Sequence, residues 1–258
     1  MTPSLPPALE GAISSARNLL VLTGAGMSAE SGVPVFRGQG GLWEGSRPED
    51  LATPQAFARD PERVWRWYRW RLEAVESARP HSGYEALARL ETGRGLARFT
   101  LVTQNVDGLH QRAGSRNVLE LHGNITRARC DAGCGALVPS ARVDPSRPAC
   151  HCGKGRLRPD VVWFGEPLSP RVLEAAFEAV AEADMAWVVG TSSLVYPAAA
   201  LPEHALRHGI PVVEVNPEAT PLSDHASFVI RAGASEGLAA LETVRAAGGK
   251  GNEGTAGL

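Results

Sequence analysis

Apolar residues gather along this chain in short unbroken runs rather than in alternation with polar ones. Six such runs, rich in β-branched residues, are NLLVLTG (18–24), RFTLVTQ (98–104), NVLELHG (117–123), MAWVVGTS (185–192), IPVVEVN (210–216) and FVIRA (228–232). Runs without alternation are what strands buried on both faces show, as in a parallel sheet covered by helices. Between and after them the apolar spacing lengthens and predicts helices near 7–16, 61–77, 83–91, 170–183, 198–207 and 235–246. The succession predicts an α/β fold with a Rossmann-like, doubly wound parallel sheet.

Two segments break that rhythm. Residues 38–80 are mostly helical and rich in Trp and Arg, where a simple β-α-β unit has already returned to the sheet. Residues 127–158 have little periodicity and hold every cysteine. Both read as insertions that build a smaller lobe, a cofactor loop with a helical module (38–80) and a zinc-binding module (127–158). The Rossmann-like domain is then discontinuous, over 1–37, 81–126 and 159–246. The small and polar residues 247–258 read as a disordered tail. Within the helical module, RVWRWYRWRLEAV (63–75) lines up Val64, Tyr68, Arg71 and Val75 on one stripe, with Trp67 beside it. An arginine on an apolar stripe either snorkels its head to water or serves a purpose there.

Bulk properties narrow the function. A chain of 258 residues can bury a full core, and a net charge of -2 offers no basic excess for direct nucleic-acid binding. The 4 cysteines do not suggest a disulfide framework in a chain of this length. The start, MTPSLPPALEGAISSARNLLVL, lacks a basic segment followed by an apolar one, and no run is long enough to span a membrane. The expectation is a soluble, cytoplasmic protein without membrane partners.

Three motifs carry chemistry. In LTGAGMSAESG, a strand ends in Gly24-Ala25-Gly26 with Ala29 following. Glycines there permit a tight turn and close approach of a pyrophosphate to a helix N-terminus. The ribose-binding acid that a dinucleotide dehydrogenase carries about twenty residues on is missing. In its place VPVFRGQGGLW supplies Phe36, Arg37 and Trp43 on a glycine-rich loop suited to closing over a cofactor, and Asn216 and Glu218 leave a late strand as ribose contacts. The second motif, RCDAGCGALVPSARVDPSRPACHCGKG, holds Cys130, Cys134, Cys150 and Cys152 as a closed tetrahedral zinc site with no position left for water. Its Cys150-x-Cys152 pair is tighter than CxxC, which suggests strain, and His151 between them is an alternative ligand. In the third, TQNVDGLHQRAG, Gln104, Asn105 and Asp107 stand at a strand's C-terminal end, where α/β sheets bind ligands. His122 ends the following run; a lone histidine is more often structural, but one beside a nucleotide cleft suits a general base. His110 reads as fixing the loop.

Taken together, GAGMSAESGVPVFRG, TQNVDGLH, LHGN, the cysteine pairs, VVWFGE, GTSSLVYPAA and VNPE resemble the sirtuin family of NAD-dependent protein lysine deacylases, in order from about 18 to 235. The resemblance implies that NAD is cleaved at C1′ of its nicotinamide ribose by the acyl oxygen. It makes His122 the catalytic base, and the products free lysine, nicotinamide and O-acyl-ADP-ribose. It maps cofactor contacts onto Gly24, Ala25, Gly26, Ala29, Phe36, Arg37, Trp43, Gln104, Asn105, Asp107, Gly190, Thr191, Ser192, Asn216, Glu218 and Ala234. It also implies one structural zinc, and an acyl-lysine peptide added as a strand between 163–166 and 193–197. Val162, Phe164, Gly165, Glu166 and Val195 would then touch substrate. Tyr68-x-x-Arg71, with a small residue at Ala52, is similar to the subgroup that removes acidic acyl groups, and implies a preference for succinyl and malonyl over acetyl. Competing readings are a deacetylase, a protein mono-ADP-ribosyltransferase, and a non-catalytic NAD sensor for acylated partners.

Overall fold

The computed structural model describes residues 4–34 and 47–250. In chain order these form α1 (Pro7–Ser15), β1 (Asn18–Thr23), α2 (Ala25–Ala29), α3 (Pro48–Leu51), α4 (Pro54–Arg59), α5 (Pro61–Ser77), α6 (Ser82–Thr92) and β2 (Arg98–Thr103). There follow α7 (Leu109–Arg112), β3 (Val118–Glu120), β4 (Gly123–Cys130), β5 (Leu137–Pro139) and β6 (Leu157–Val161). The chain closes with α8 (Pro170–Ala181), β7 (Met185–Val189), α9 (Ala200–Arg207), β8 (Val212–Val215), β9 (Phe228–Ile230) and α10 (Ala234–Lys250).

All six unbroken apolar runs become neighbours in one six-stranded parallel sheet of order β3-β2-β1-β7-β8-β9. Alternate residues of β1 explain why the runs do not alternate in polarity. Leu19 and Val21 pack on one face with Leu101, Trp187 and residues of α1, α6 and α10. Leu20 and Leu22 pack on the other with Val102, Val188 and residues of α8 and α9. Both faces are interior, so the strands are mainly apolar and the polar residues they do carry, such as Thr23, Thr103 and Glu214, are buried with hydrogen-bond partners.

Strand order reverses between β1 and β7, and their two following turns meet there. The Gly26 N–H donates to the Gly190 carbonyl at 2.7 Å, and the Gly24 N–H to that of Val189 at 3.0 Å. Approach is close enough that a Cβ on Gly26 would stand 2.8 Å from Gly190 Cα, and one on Gly24 2.6 Å from Thr191 Cβ.

The smaller lobe has its own core of Phe57, Trp65, Tyr68, Leu72, Ile125, Ala128 and Trp163. It joins α4 and α5 to a three-stranded antiparallel sheet of order β5-β4-β6. Asp60 caps α5 by accepting the Arg63 N–H at 2.9 Å, and Pro61 opens the helix. Trp65 Nε1 donates to the Leu157 carbonyl at 2.9 Å, fastening α5 to β6. The small sheet runs from Gly123 to Val161, wider than the 127–158 expected from sequence. A register shift between Asn124 and Ala128 breaks the alternation that marks a strand. Likewise α10 continues to Lys250, beyond 246, where the tail was expected to begin. Just before that point Arg245 donates to the Ile13 and Ser14 carbonyls at 2.7 and 3.0 Å and ties α10 to α1. Among the described residues no helix is long and apolar enough to cross a membrane.

Gly190 has φ +60, and a Cβ there would fall 2.6 Å from Gly26 C. Gly190→Ala is therefore expected to lose at least about 2 kcal/mol of unfolding free energy, read by urea denaturation, since strained φ and backbone overlap add.

Candidate active site

A cleft of about 1460 Å³ opens at the C-terminal ends of the parallel strands, between the large domain and the smaller lobe. Its floor is the switch point, where Gly24, Ala25, Gly26 and Ala29 face Gly190, Thr191 and Ser192. Gln104, Asn105 and His122 come from the β2 and β3 ends, Asn216 and Glu218 from the β8 end, and Ala234 from the start of α10. The smaller lobe contributes Ala52, Tyr68, Arg71, Val162, Phe164, Gly165 and Glu166, and Val195 stands across from them. Sequence reasoning thus named residues from nine separate segments that one cleft unites. Phe36, Arg37 and Trp43 lie outside the described residues.

His122 follows β3, and its Nδ1 lies 2.9 Å from the Gln104 carbonyl oxygen. A carbonyl only accepts, so Nδ1 carries the proton and Nε2 of the neutral ring keeps its lone pair. Burial holds the imidazole below its ordinary value despite that hydrogen bond, so the ring is neutral near pH 7. Its backbone carbonyl accepts the Val162 N–H at 2.9 Å, so the residue is fastened to both lobes.

Asp107 stands apart from the main cleft. It is buried beside a side cavity of about 30 Å³ that it lines with Ser28, Asn105 and Arg71. Ser28, which sequence reasoning passed over, is the centre of this cluster. Its hydroxyl donates to Asp107 Oδ2 at 2.6 Å and receives Asn105 Nδ2 at 2.9 Å, with Tyr84 Oη at 3.0 Å. Asn105 also donates to the Gly24 carbonyl at 2.8 Å. Desolvation pushes the Asp107 carboxyl up, against the Ser28 and Leu109 hydrogen bonds and the charges of Arg71 and Arg112. Only the position of Ser28 inside GAGMSAES hinted at it; its partners lie 56 to 79 residues away. His110 is buried, with Nε2 2.9 Å from Thr23 Oγ1, and burial takes its pKa down to about 3. It is a neutral structural tie.

Arg71 sits in the buried stripe of α5 with Val64, Trp65, Tyr68, Leu72 and Val75, away from the exposed Glu73 and Glu76. Its guanidinium lies 4.7 Å from the Trp67 ring centroid and 5.3 Å from that of Tyr68, a cation–π setting. Burial lowers its pKa, while Tyr68 and Asp107 oppose that shift.

Two expected contacts have their polar atoms engaged elsewhere. Asn216 Nδ2 donates to the Thr191 carbonyl at 3.0 Å and its Oδ1 accepts the Glu218 N–H at 3.2 Å, so it ties two rims together, while Glu218 is exposed. Glu166 borders the cleft, but its carboxylate is held by Arg158 and by the Trp163 N–H at 2.9 Å.

The four cysteine sulfurs lie within 4.8 Å of one another. The separations Cys130–Cys152 and Cys134–Cys150 are 3.7 and 3.6 Å. A tetrahedron with zinc–sulfur bonds near ~2.3 Å has edges of about 3.8 Å, so the four thiols fit one zinc ion. The tight Cys150-x-Cys152 pair falls within the same 4.8 Å as the rest. His151 is exposed and is not part of the group of four.

A doubly wound sheet with glycine turns at its switch point and a four-cysteine lobe over the cleft defines a nucleotide-cleft α/β protein with a structural-metal module. The chain belongs to the Sir2 family, whose model matches residues 24–197. A relative named NAD-dependent protein deacylase 2, from Pyrobaculum aerophilum, is 53% identical over 230 residues, covering 89% of this chain and 91% of its own. A solved Sir2 homologue in complex with NAD superposes with a TM-score of 0.87 at 46% identity, covering 95% of this chain and 96% of that one. A Sir2 variant solved with a deacetylated peptide and 3′-O-acetyl-ADP-ribose gives 0.82 at 31% identity, covering 93% and 98%.

Two outcomes are expected. Elemental analysis finds one zinc per chain, and Cys130→Ser releases it with a loss of several kcal/mol of stability, on the order of structural zinc binding energies. If His122 must be neutral to act, kcat/KM is flat near neutral pH and falls in acid with a midpoint below the ordinary 6.5.

Proposed function

We propose that the protein is an NAD-dependent protein lysine deacylase that prefers succinyl and malonyl groups over acetyl. The observation that carries the preference is Arg71, a guanidinium buried in the cleft wall at 8% exposure with the Tyr68 hydroxyl beside it. A buried charge is costly unless it meets an opposite one, and a planar guanidinium matches a carboxylate two bonds at a time. Asp107 opposes part of the cost of burying Arg71, and a terminal carboxylate on the acyl chain adds an anionic partner from the cleft side, which acetyl does not. Ala52 keeps the wall small where the longer acyl chain passes.

NAD, when bound, supplies an electrophilic ribose carbon with nicotinamide as its leaving group. The glycine turn at Gly24–Gly26 admits a pyrophosphate without a Cβ in the way, and Thr191, Ser192 and Glu218 border the space its riboses would fill. Asn105, which lines the cleft, and Asp107, which lies behind it, are set by Ser28 and stand where the nicotinamide end of the cofactor would lie. His122 takes a proton from a ribose hydroxyl at Nε2, while the Gln104 carbonyl holds Nδ1–H and steadies the imidazolium that forms. Zinc stays outside the chemistry because four thiolates fill its coordination shell.

The acylated substrate enters as an extended peptide between 163–166 and 193–197. The exposed side chains of Phe164, Leu194, Val195 and Tyr196 support this reading, since they give both stretches an apolar rim beside the cleft.

The test is kcat/KM for one lysine peptide carrying succinyl or acetyl. The wild type is expected to favour succinyl. Arg71→Met is expected to cut the succinyl-to-acetyl ratio about 10- to 100-fold, as losing a charged hydrogen-bonded pair does. A ratio unmoved by Arg71→Met would remove the preference from the proposal. His122→Ala is expected to lower turnover of both peptides by roughly 10²–10⁴ while NAD still binds.

A further inference from the structure

Behind Tyr68 lies a line of buried side chains that none of the steps above uses. Arg158, on β6, is 5% exposed and forks its guanidinium onto both carboxylate oxygens of Glu166, with Nη2 2.8 Å from Oε2. Nη2 also donates to the Val161 carbonyl at 2.8 Å. The Arg158 Cζ lies 3.4 Å from the Trp163 ring centroid, and Phe57 packs against the same indole at 5.3 Å. Glu166 accepts the Trp163 backbone N–H at 2.9 Å. Trp163 is thus held by its backbone and its ring, and its Nε1–H donates to the Tyr68 hydroxyl oxygen at 2.8 Å.

This hydrogen bond restricts where the Tyr68 proton can go. A phenol hydroxyl has one proton, and an oxygen that receives a donor along one line must send its proton along another. Trp163 Nε1 is a donor only, so the proton is not shared with it. Arg71, which also lies beside Tyr68, has no acceptor atom. Tyr68, Arg71 and Trp163 all border the cleft, so a carboxylate there lies on the side toward which the Tyr68 hydroxyl can donate.

We propose that Trp163, held by the Arg158–Glu166 pair, is a positioning residue for acyl selectivity: it fixes the Tyr68 hydroxyl as a donor toward a carboxylate in the cleft. The inference rests on the acidic-acyl reading and adds to it a cause for the hydroxyl's orientation. Without the indole N–H, Tyr68 can turn its proton away and offer the incoming carboxylate a lone pair instead.

Trp163→Phe keeps an aromatic ring and removes the N–H. The expected result is a roughly tenfold fall in the succinyl-to-acetyl ratio of kcat/KM, carried by a higher KM for the succinyl peptide, as loss of one charge-assisted hydrogen bond gives. In a Tyr68→Phe background the same change is expected to leave the ratio where Tyr68→Phe put it. An unchanged ratio in the single variant, or equal losses for both peptides, would overturn the proposal, as would independent effects in the double variant. Should Trp163→Phe fail to fold, benzothienylalanine at 163 replaces the N–H by sulfur at nearly constant shape and gives the same comparison. Arg71→Met run alongside separates the two levels. If it moves the ratio and the 163 variants do not, only the role of Trp163 falls; if neither moves it, the acidic-acyl reading falls and takes this one with it.

Discussion

The backbone contact between the turns after β1 and β7 is the constraint on which the cleft depends. The Gly26 N–H reaches the Gly190 carbonyl at 2.7 Å only because neither residue has a side chain. That contact places the first βα turn against the second half of the sheet. It leaves the Gly24–Gly26 turn bare on the side facing the cleft. From there Asn105 reaches back to the Gly24 carbonyl and on to Ser28, so the side cavity is registered on the same turn. Gln104 does likewise on the other side, donating to Thr191 Oγ1 at 3.0 Å while its carbonyl fixes His122. A small shift at the switch point would displace the histidine and the cavity together.

The second organising feature is how the chain keeps charge in a desolvated wall. Arg71 and Asp107 are both buried, and each opposes the cost of burying the other. Arg158 and Glu166 form a closed pair that spends its charge on holding Trp163. The first pair lines the side cavity, whereas of the second only Glu166 reaches the cleft, with its carboxylate already held by Arg158 and the Trp163 N–H. Buried ion pairs contribute little net stability, so such pairs are better understood through what they orient.

The scaffold was legible in the sequence because both sheet faces are interior: each parallel strand appeared as a continuous apolar run, and every one formed. Much of the site was legible too, since residues such as Gly24, Gln104, His122, Thr191 and Asn216 sit at strand ends, where runs stop and ligand positions begin. The antiparallel sheet of the smaller lobe was not, because an irregular register in β4 and short β5 and β6 leave no period to find. Ser28, Trp163 and Arg158 escaped for another reason. Ser28 meets Asp107 and the Trp163 indole meets Tyr68 across 79 and 95 residues, and although Arg158 and Glu166 are only 8 apart, no local spacing marks them as a pair. Asn216 and Glu166 were found as cleft residues, but their hydrogen bonds within the protein depend on three-dimensional placement.

The central claim is that this cleft couples acyl removal from lysine to cleavage of NAD. The most direct measurement follows nicotinamide release and acyl loss together on a succinylated lysine peptide, with the fate of the acyl group read by mass spectrometry. The account predicts one nicotinamide for each acyl group removed, none without the acylated peptide, and the acyl group carried on ADP-ribose. Reduction of NAD to NADH, ADP-ribose attached to protein, or binding of NAD and peptide with no release of nicotinamide would contradict it.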